Sequence, residues 1–213
     1  MAISPLNLKE VERRAFRSTF EDGLWDMYLG MIFLSFAIIP LLDQLVPSET
    51  AQLAIQAGYV VIVMLLFLAG KRFVTVPRLG RARFGPARKR RVLNARILLL
   101  LSVLVGLAAW LIFASGADIE GSLVLLLFAV NIIVVLGGMA YFLDYDRLYL
   151  YAGLWALSIP AGEYLREHAG LSQATSVFFV TAGLAVVIGL ILFIRFIQTH
   201  PVVKDTADGG AQV

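Results

Sequence analysis

Residues 71–96 read KRFVTVPRLGRARFGPARKRRVLNAR, a stretch with ten basic residues and no acid. An apolar run long enough to cross a bilayer lies on each side of it. A segment this basic resists translocation, so it is expected to stay in the cytoplasm and to set the orientation of everything around it. The fold class follows from working outward: an all-α integral membrane protein of six transmembrane helices.

Composition agrees. Of the 213 residues, 60% are hydrophobic and the mean hydropathy is +0.84, against about 45–50% apolar residues in soluble domains. There is no cysteine, which excludes disulfides, thiolate metal sites and cysteine nucleophiles. Three regions are expected: a cytoplasmic amphipathic segment at 1–23, a membrane domain at 24–197 containing the basic loop 71–96, and a disordered cytoplasmic tail at 198–213.

The six spans are placed at about 24–42, 52–70, 97–115, 122–142, 148–165 and 174–197, each near the roughly 20 residues that a bilayer requires. Before them, Asn7 and Glu10 offer a capping box. Leu8, Val11, Ala15 and Phe20 recur at helical spacing, while Lys9, Arg13 and Arg17 form a stripe four residues apart. Two readings stand for this helix: it lies in the membrane interface, or it is solvated and packs on neighbouring loops. No small-x-small cleavage site follows the first apolar run, so 1–23 does not read as a signal peptide. Inside the basic loop, 73–76 and 81–84 flank Pro77-Arg78-Leu79-Gly80 as a small β-hairpin would. Gly85-Pro86 reads as a helix start, with proline at the first helical position.

With both termini in the cytoplasm, seventeen of the eighteen Lys and Arg residues fall inside and only Arg166 falls outside. That matches the positive-inside bias, and the reversed orientation opposes it. The expected location is the plasma membrane, as in a bacterial inner membrane.

The first and fifth spans share a pattern. Tyr28, Gly30, Leu34 and Ser35 align with Tyr151, Gly153, Leu157 and Ser158 at one offset. The second and sixth spans follow loosely, through Arg72-Phe73 and Arg195-Phe196. A parallel duplication of helical hairpins would explain this; so would chance among apolar residues. If it is a true repeat, Gly30 and Gly153 should both admit a close neighbour.

Intramembrane polar residues are the candidate site, because burying them in hydrocarbon is costly. They are Asn131 in the fourth span, Gln56 and Tyr59 in the second and Glu163 in the fifth. For Asn131 an interhelical hydrogen bond is the favoured reading. Asp26, at the inner end of the first span, is expected at the headgroup level. Glu163, Glu167 and His168 lie on about one turn, and a metal there would need a further ligand such as Asp118, Glu120 or Asp43; a solvated helix end is favoured. Gly30, Gly106, Gly137, Gly138, Gly153, Gly183 and the Ala185-x-x-x-Gly189 pair suit close helix packing. No catalytic motif is present, so the chain reads as a non-enzyme without cofactor or metal. In the basic loop, Arg78, Arg81, Arg83, Arg88, Lys89, Arg90 and Arg91 are the expected contacts to anionic lipid. Nucleic acid is not an expected partner; membrane lipids are, together with a second copy or another membrane protein.

The pieces FEDGLWD (20–26) and KRFVTVPRLG (71–80) resemble a pattern in bacterial multi-pass membrane proteins, which pair an acidic entry to the first span with a Pro-Arg-x-Gly loop after the second. The resemblance covers about the first ninety residues and departs from the pattern at Arg81, where an aromatic is expected. It implies a membrane fold and no activity. Two functions remain. One is a non-enzymatic accessory or scaffold protein contacting anionic lipid through the basic loop. The other is a small-solute or ion transporter or channel, which needs Asn131, Gln56, Tyr59 and Glu163 to line one cavity.

Overall fold

The computed structural model describes residues 12–13, 16–80, 85–115 and 121–201. Among them there is no strand. Six long helices follow in order: α1 Leu24–Leu45, α2 Glu49–Gly70, α3 Pro86–Ala114, α4 Gly121–Leu143, α5 Arg147–Ala169 and α6 Leu171–Thr199. Five regions are long and apolar enough to cross a membrane: Leu24–Leu45, Glu49–Leu79, Pro86–Ala109, Leu123–Leu143 and Ala174–Thr199. α5 is not among them, because Arg147, Glu163, Glu167 and Arg166 dilute its apolar content.

The expected β-hairpin is absent over its described part. α2 continues through a π-helical turn, Lys71–Thr75, and a last α-helical turn, Val76–Leu79. The Val76 N–H reaches back five residues to the Lys71 carbonyl. The β-branched residues here favour a strand only weakly. That preference loses to the ties that Lys71 and Thr75 make with a buried acid, described below. The basic loop is therefore mostly helix, since α3 starts at Pro86 as expected. Residues 81–84, the second arm of the hairpin, lie outside the described residues, as do the capping box at Asn7 and Glu10 and the tail beyond Pro201.

α1, α4, α5 and α6 form the packed centre. α1 and α6 run antiparallel at very close approach. Gly23 has φ +72°, a backbone region that favours glycine, and a Cβ there would lie 2.2 Å from the Gly189 carbonyl oxygen. A Cβ on Gly30 would sit 2.9 Å from Val186 N, and one on Gly189 would sit 2.6 Å from Met27 N. Ala182 and Ala185, both fully buried, fill the same seam. Small residues let the two backbones meet, as in the small-x3-small pairs of membrane helices.

α5 lies parallel to α1 and antiparallel to α6. Phe33 of α1 stacks on Trp155 of α5 at 4.3 Å between ring centroids, and Trp155 stacks in turn on Tyr151. On the other side Ser158 donates to Thr181 Oγ1 at 3.2 Å. α5 is thus the most enclosed helix, with Leu148, Tyr151, Ala152, Trp155, Ala156, Ser158, Ile159 and Gly162 all buried. α2 packs on α1 and α3 on α4, each along one side, leaving most of their surfaces exposed.

The glycines sort by place. Gly30, Gly189 and Gly138 meet neighbours closely. Gly106, Gly137, Gly153 and Gly183 have open space where a side chain would go. The expectation that Gly153 mirrors Gly30 is therefore overturned. Gly30 faces α6 across the tightest seam, whereas α5 turns its Tyr151/Trp155 side inward and Gly153 outward.

Candidate functional site

The most polar part of the interior lies at the end of the bundle that carries the basic segment, where Phe20–Asp26, the end of α2, the start of α3 and the α4–α5 connection converge. Asp22 and Asp26 are fully buried there, one turn apart and on either side of Gly23. Two buried carboxylates are tolerable only if paired and hydrogen-bonded, and each has its own cation. Asp22 Oδ2 accepts from Lys71 Nζ at 2.7 Å and from Thr75 Oγ1 at 2.6 Å, while Oδ1 accepts from the Leu24 N–H at 3.2 Å. Lys71 also donates to the Thr19 carbonyl at 2.7 Å and lies over the Trp25 and Phe67 rings. The π turn presents Lys71 and Thr75 together over one carboxylate; such turns recur at functional sites.

Asp26 is held from α5. Its Oδ1 accepts from Arg147 Nε at 3.0 Å and from Tyr151 Oη at 2.6 Å. Arg147 also donates to the Phe20 carbonyl and lies over the Tyr145 ring. Asp26 Oδ2 and the buried Tyr145 Oη have no hydrogen-bond partner among the described residues. Burial, reinforced by the nearby Asp26 carboxylate, raises the Tyr145 phenol well above its ordinary value, so Tyr145 stays protonated.

A second knot lies nearer the surface. Asp144 takes φ +51° at the turn after α4, a conformation that aspartate adopts more readily than most residues. There it receives Arg88 in a short contact, Arg91 at 3.3 Å to both oxygens and Arg13 at 3.6 Å. Burial acts to raise the Asp144 carboxyl. The hydrogen bond from Arg88 and the charges of Arg88, Arg91 and Arg13 outweigh it and hold the pKa below the ordinary range. Arg88 is itself buried, with its guanidinium 4.2 Å from the Phe16 ring centroid. Arg17 pairs with Asp146, and Glu12 accepts from the Gly85 N–H at 2.9 Å. Phe16 and Phe20 are buried against Ala95, Ala140, Leu143, Tyr145 and Leu148. The described part of the N-terminal segment is thus packed on the bundle.

The residues expected to form a polar site are not brought together. Asn131 Nδ2 donates to Ser102 Oγ at 2.9 Å across α4 and α3, an interhelical bond of the favoured kind. Tyr59 Oη donates to the Met31 carbonyl at 2.6 Å, tying α2 to α1. Gln56 Oε1 is buried without a hydrogen-bond partner. Glu163 pairs with Arg166 on its own helix at 2.9 Å and lines an open groove of about 790 Å³ between α4 and α5 at the opposite end. Among the described residues no three His, Asp or Glu side chains cluster as metal ligands would.

The basic residues also divide. Arg88 points inward to Asp144, and Arg78 donates to the Val74 carbonyl at 3.0 Å. Lys89, Arg90, Arg91 and Arg96 line the exposed side of the first turns of α3, beside exposed Leu93 and Leu100. Arg81 and Arg83 lie outside the described residues.

Sequence reasoning missed Asp22, Lys71, Thr75, Asp144 and Arg147 as a connected set, and read Tyr151 only as the counterpart of Tyr28. One signal was available: the acids at positions 22 and 26, four apart at the mouth of an apolar helix, need cations if buried, and the structure supplies them from Lys71 and Arg147. No family model matches the chain, and no curated protein or solved structure matches it either.

Proposed function

We propose that the chain is a six-span plasma-membrane scaffold or accessory protein, non-enzymatic, with both termini and the basic end in the cytoplasm. In this reading it contacts anionic lipid through the basic start of α3 and a membrane partner or second copy through its outlying helices. The observation that carries it is the close-packed centre. Gly23, Gly30, Ala182, Ala185 and Gly189 close the α1–α6 seam, and the Phe33–Trp155–Tyr151 stack fills the space beside it. Transport would need Asn131, Gln56, Tyr59 and Glu163 around one cavity; against it, Asn131 bonds Ser102, Tyr59 bonds the Met31 carbonyl and Glu163 pairs with Arg166.

α5 counts as a span in this reading because it packs along both α4 and α6 and meets α1 through the side chains of Asp26 and Phe33. Its 23 residues rise about 34 Å at 1.5 Å each, enough for a hydrocarbon core of about 30 Å. Its charged residues lie at its two ends, where they reach headgroups or partners. On α3, Lys89, Arg90 and Arg96 stand beside exposed leucines, as snorkelling cations do; each near an anionic surface contributes about 1 kcal/mol.

The test uses the protein's own tryptophans. Reconstituted in bilayers, Trp25 should be quenched more by brominated phosphatidylglycerol than by brominated phosphatidylcholine, with the other two tryptophans, Trp110 and Trp155, replaced by Phe to isolate the basic end. Replacing Lys89, Arg90 and Arg96 by Gln should remove most of that preference. Equal quenching by the two lipids in the unsubstituted chain would end the lipid-contact reading.

A further inference from the structure

The cations around Asp144 exceed what it needs. One carboxylate holds three guanidinium groups, and they are not equivalent. Arg88 makes the short contact and is buried. Arg91 and Arg13 stand off at 3.3 and 3.6 Å, with side chains 47% and 58% exposed. These two face a cleft of about 570 Å³ whose rim also carries Tyr141 and Tyr149. Of the other acids on this rim, Asp146 holds Arg17, and Glu12 accepts from the Gly85 N–H and keeps its charge, so that Arg13, Arg17, Arg88 and Arg91 still outnumber Glu12, Asp144 and Asp146. Arg13 and Arg91 therefore present two forked donors on one side of a cleft, already spaced by a shared anchor. Guanidinium pairs of this kind suit the planar, bidentate recognition of phosphate oxygens.

We propose that this cleft is a discrete site for one phosphate ester, the headgroup of an anionic membrane lipid. Arg13 and Arg91 hold the phosphate, and the Tyr141 and Tyr149 hydroxyls bond its remaining oxygens. The lipid source follows from the surroundings. Tyr141 and Tyr149 are more than half exposed on helices whose surfaces continue into exposed Ile133, Val134 and Leu150. Amphipathic rings placed where an apolar surface meets charge mark headgroup depth. Asp144 is then a positioning residue: it spaces the two arginines and, through Arg88, ties the cleft to Phe16 and the core. This proposal rests on the lipid-contact reading above and sharpens it, because diffuse attraction to Lys89, Arg90 and Arg96 predicts many interchangeable lipids rather than one.

Native mass spectrometry of the detergent-solubilised full chain titrated with phosphatidylglycerol separates these cases. One lipid should bind at least tenfold more tightly than any that follow. Arg13→Gln with Arg91→Gln should abolish that first binding step, whereas Lys89→Gln with Arg90→Gln should leave it and weaken only the later ones. Should the arginine pair not fold, Tyr141→Phe with Tyr149→Phe removes only exposed hydroxyls and should weaken the first step several-fold. Inorganic phosphate at millimolar concentration should not compete; full competition would show that the cleft takes a soluble phosphate and would overturn the lipid assignment. Graded binding with no privileged first lipid would overturn the discrete site while leaving the lipid-contact reading standing. No preference for phosphatidylglycerol over phosphatidylcholine at all would remove both.

Discussion

The two ends of the bundle carry charge in opposite ways. At the basic end, Asp22, Asp26 and Asp144 are enclosed, and each is bound by cations from helices far away in sequence. At the other end, Glu163 finds its partner three residues along its own helix, and Arg166 is 56% exposed. The first arrangement ties the start of α1 to α2 and α5, and ties α3 to the turn between α4 and α5. The second ties nothing to anything. Ion pairs at a wet surface contribute about 0–1 kcal/mol, whereas breaking a buried pair from one side leaves an uncompensated charge. The same kind of chemistry therefore fastens one end and leaves the other free to form an open groove.

The largest effect should come from Asp26→Ala. It strands the Arg147 guanidinium and removes the acceptor for Tyr151, and losses of about 3–5 kcal/mol are typical of such one-sided removal. Chemical unfolding in detergent micelles measures this. Glu163→Gln, its counterpart at the other end, should shift stability by less than about 1 kcal/mol. A comparable loss for the two would erase the contrast between the ends.

Next come the glycines. Gly30→Leu must push a side chain into Val186 and the α6 backbone, an overpacking that costs about 1–3 kcal/mol. Gly153→Leu enters open space and should be near neutral in the same unfolding assay. These two positions align in the sequence pattern, so the difference between them tests whether the resemblance of the first and fifth spans is one of packing.

Much of this fold was legible in the residues, and what was not has physical causes. Long apolar runs and the basic stretch at 71–96 suffice for helices, their number and the start of α3 at Pro86, because hydropathy and the missing proline donor act locally. The hairpin expectation at 73–84 failed over its described part because Asp22, fifty residues upstream, holds Lys71 and Thr75 in helix; no local pattern reports that. Asp26 was expected at the headgroup level because its partners lie 121 and 125 residues away. Asn131 was readable as an interhelical bond, though not its partner Ser102. Gly30 and Gly153 looked alike in sequence, since periodicity states that a helix has faces without saying which face a neighbour will cover.

A smaller effect concerns pH. The Asp144 pKa lies below its unfolded value, so its contribution to stability is fully present above the unfolded carboxylate pKa of about 3.9 and is lost as pH falls through the folded one. Stability should be level from neutral pH down to about 5 on this account and should fall in the acid limb. Asp144→Asn should flatten part of that limb, as read from melting temperatures in buffers from pH 3 to 7. An unchanged acid limb would show that Asp144 gains nothing from its arginines.

Cysteine mapping tests the central claim most directly, since the chain has no cysteine of its own. Single cysteines at Ser48, His168, Lys89 and Thr199, all exposed, are challenged with a membrane-impermeant maleimide on intact cells. The six-span account predicts labelling at Ser48 and His168, and protection at Lys89 and Thr199 until the membrane is opened. Protection at His168 together with Lys89, or labelling of Lys89 in intact cells, would contradict it, because either α5 would not cross or the basic end would face outward.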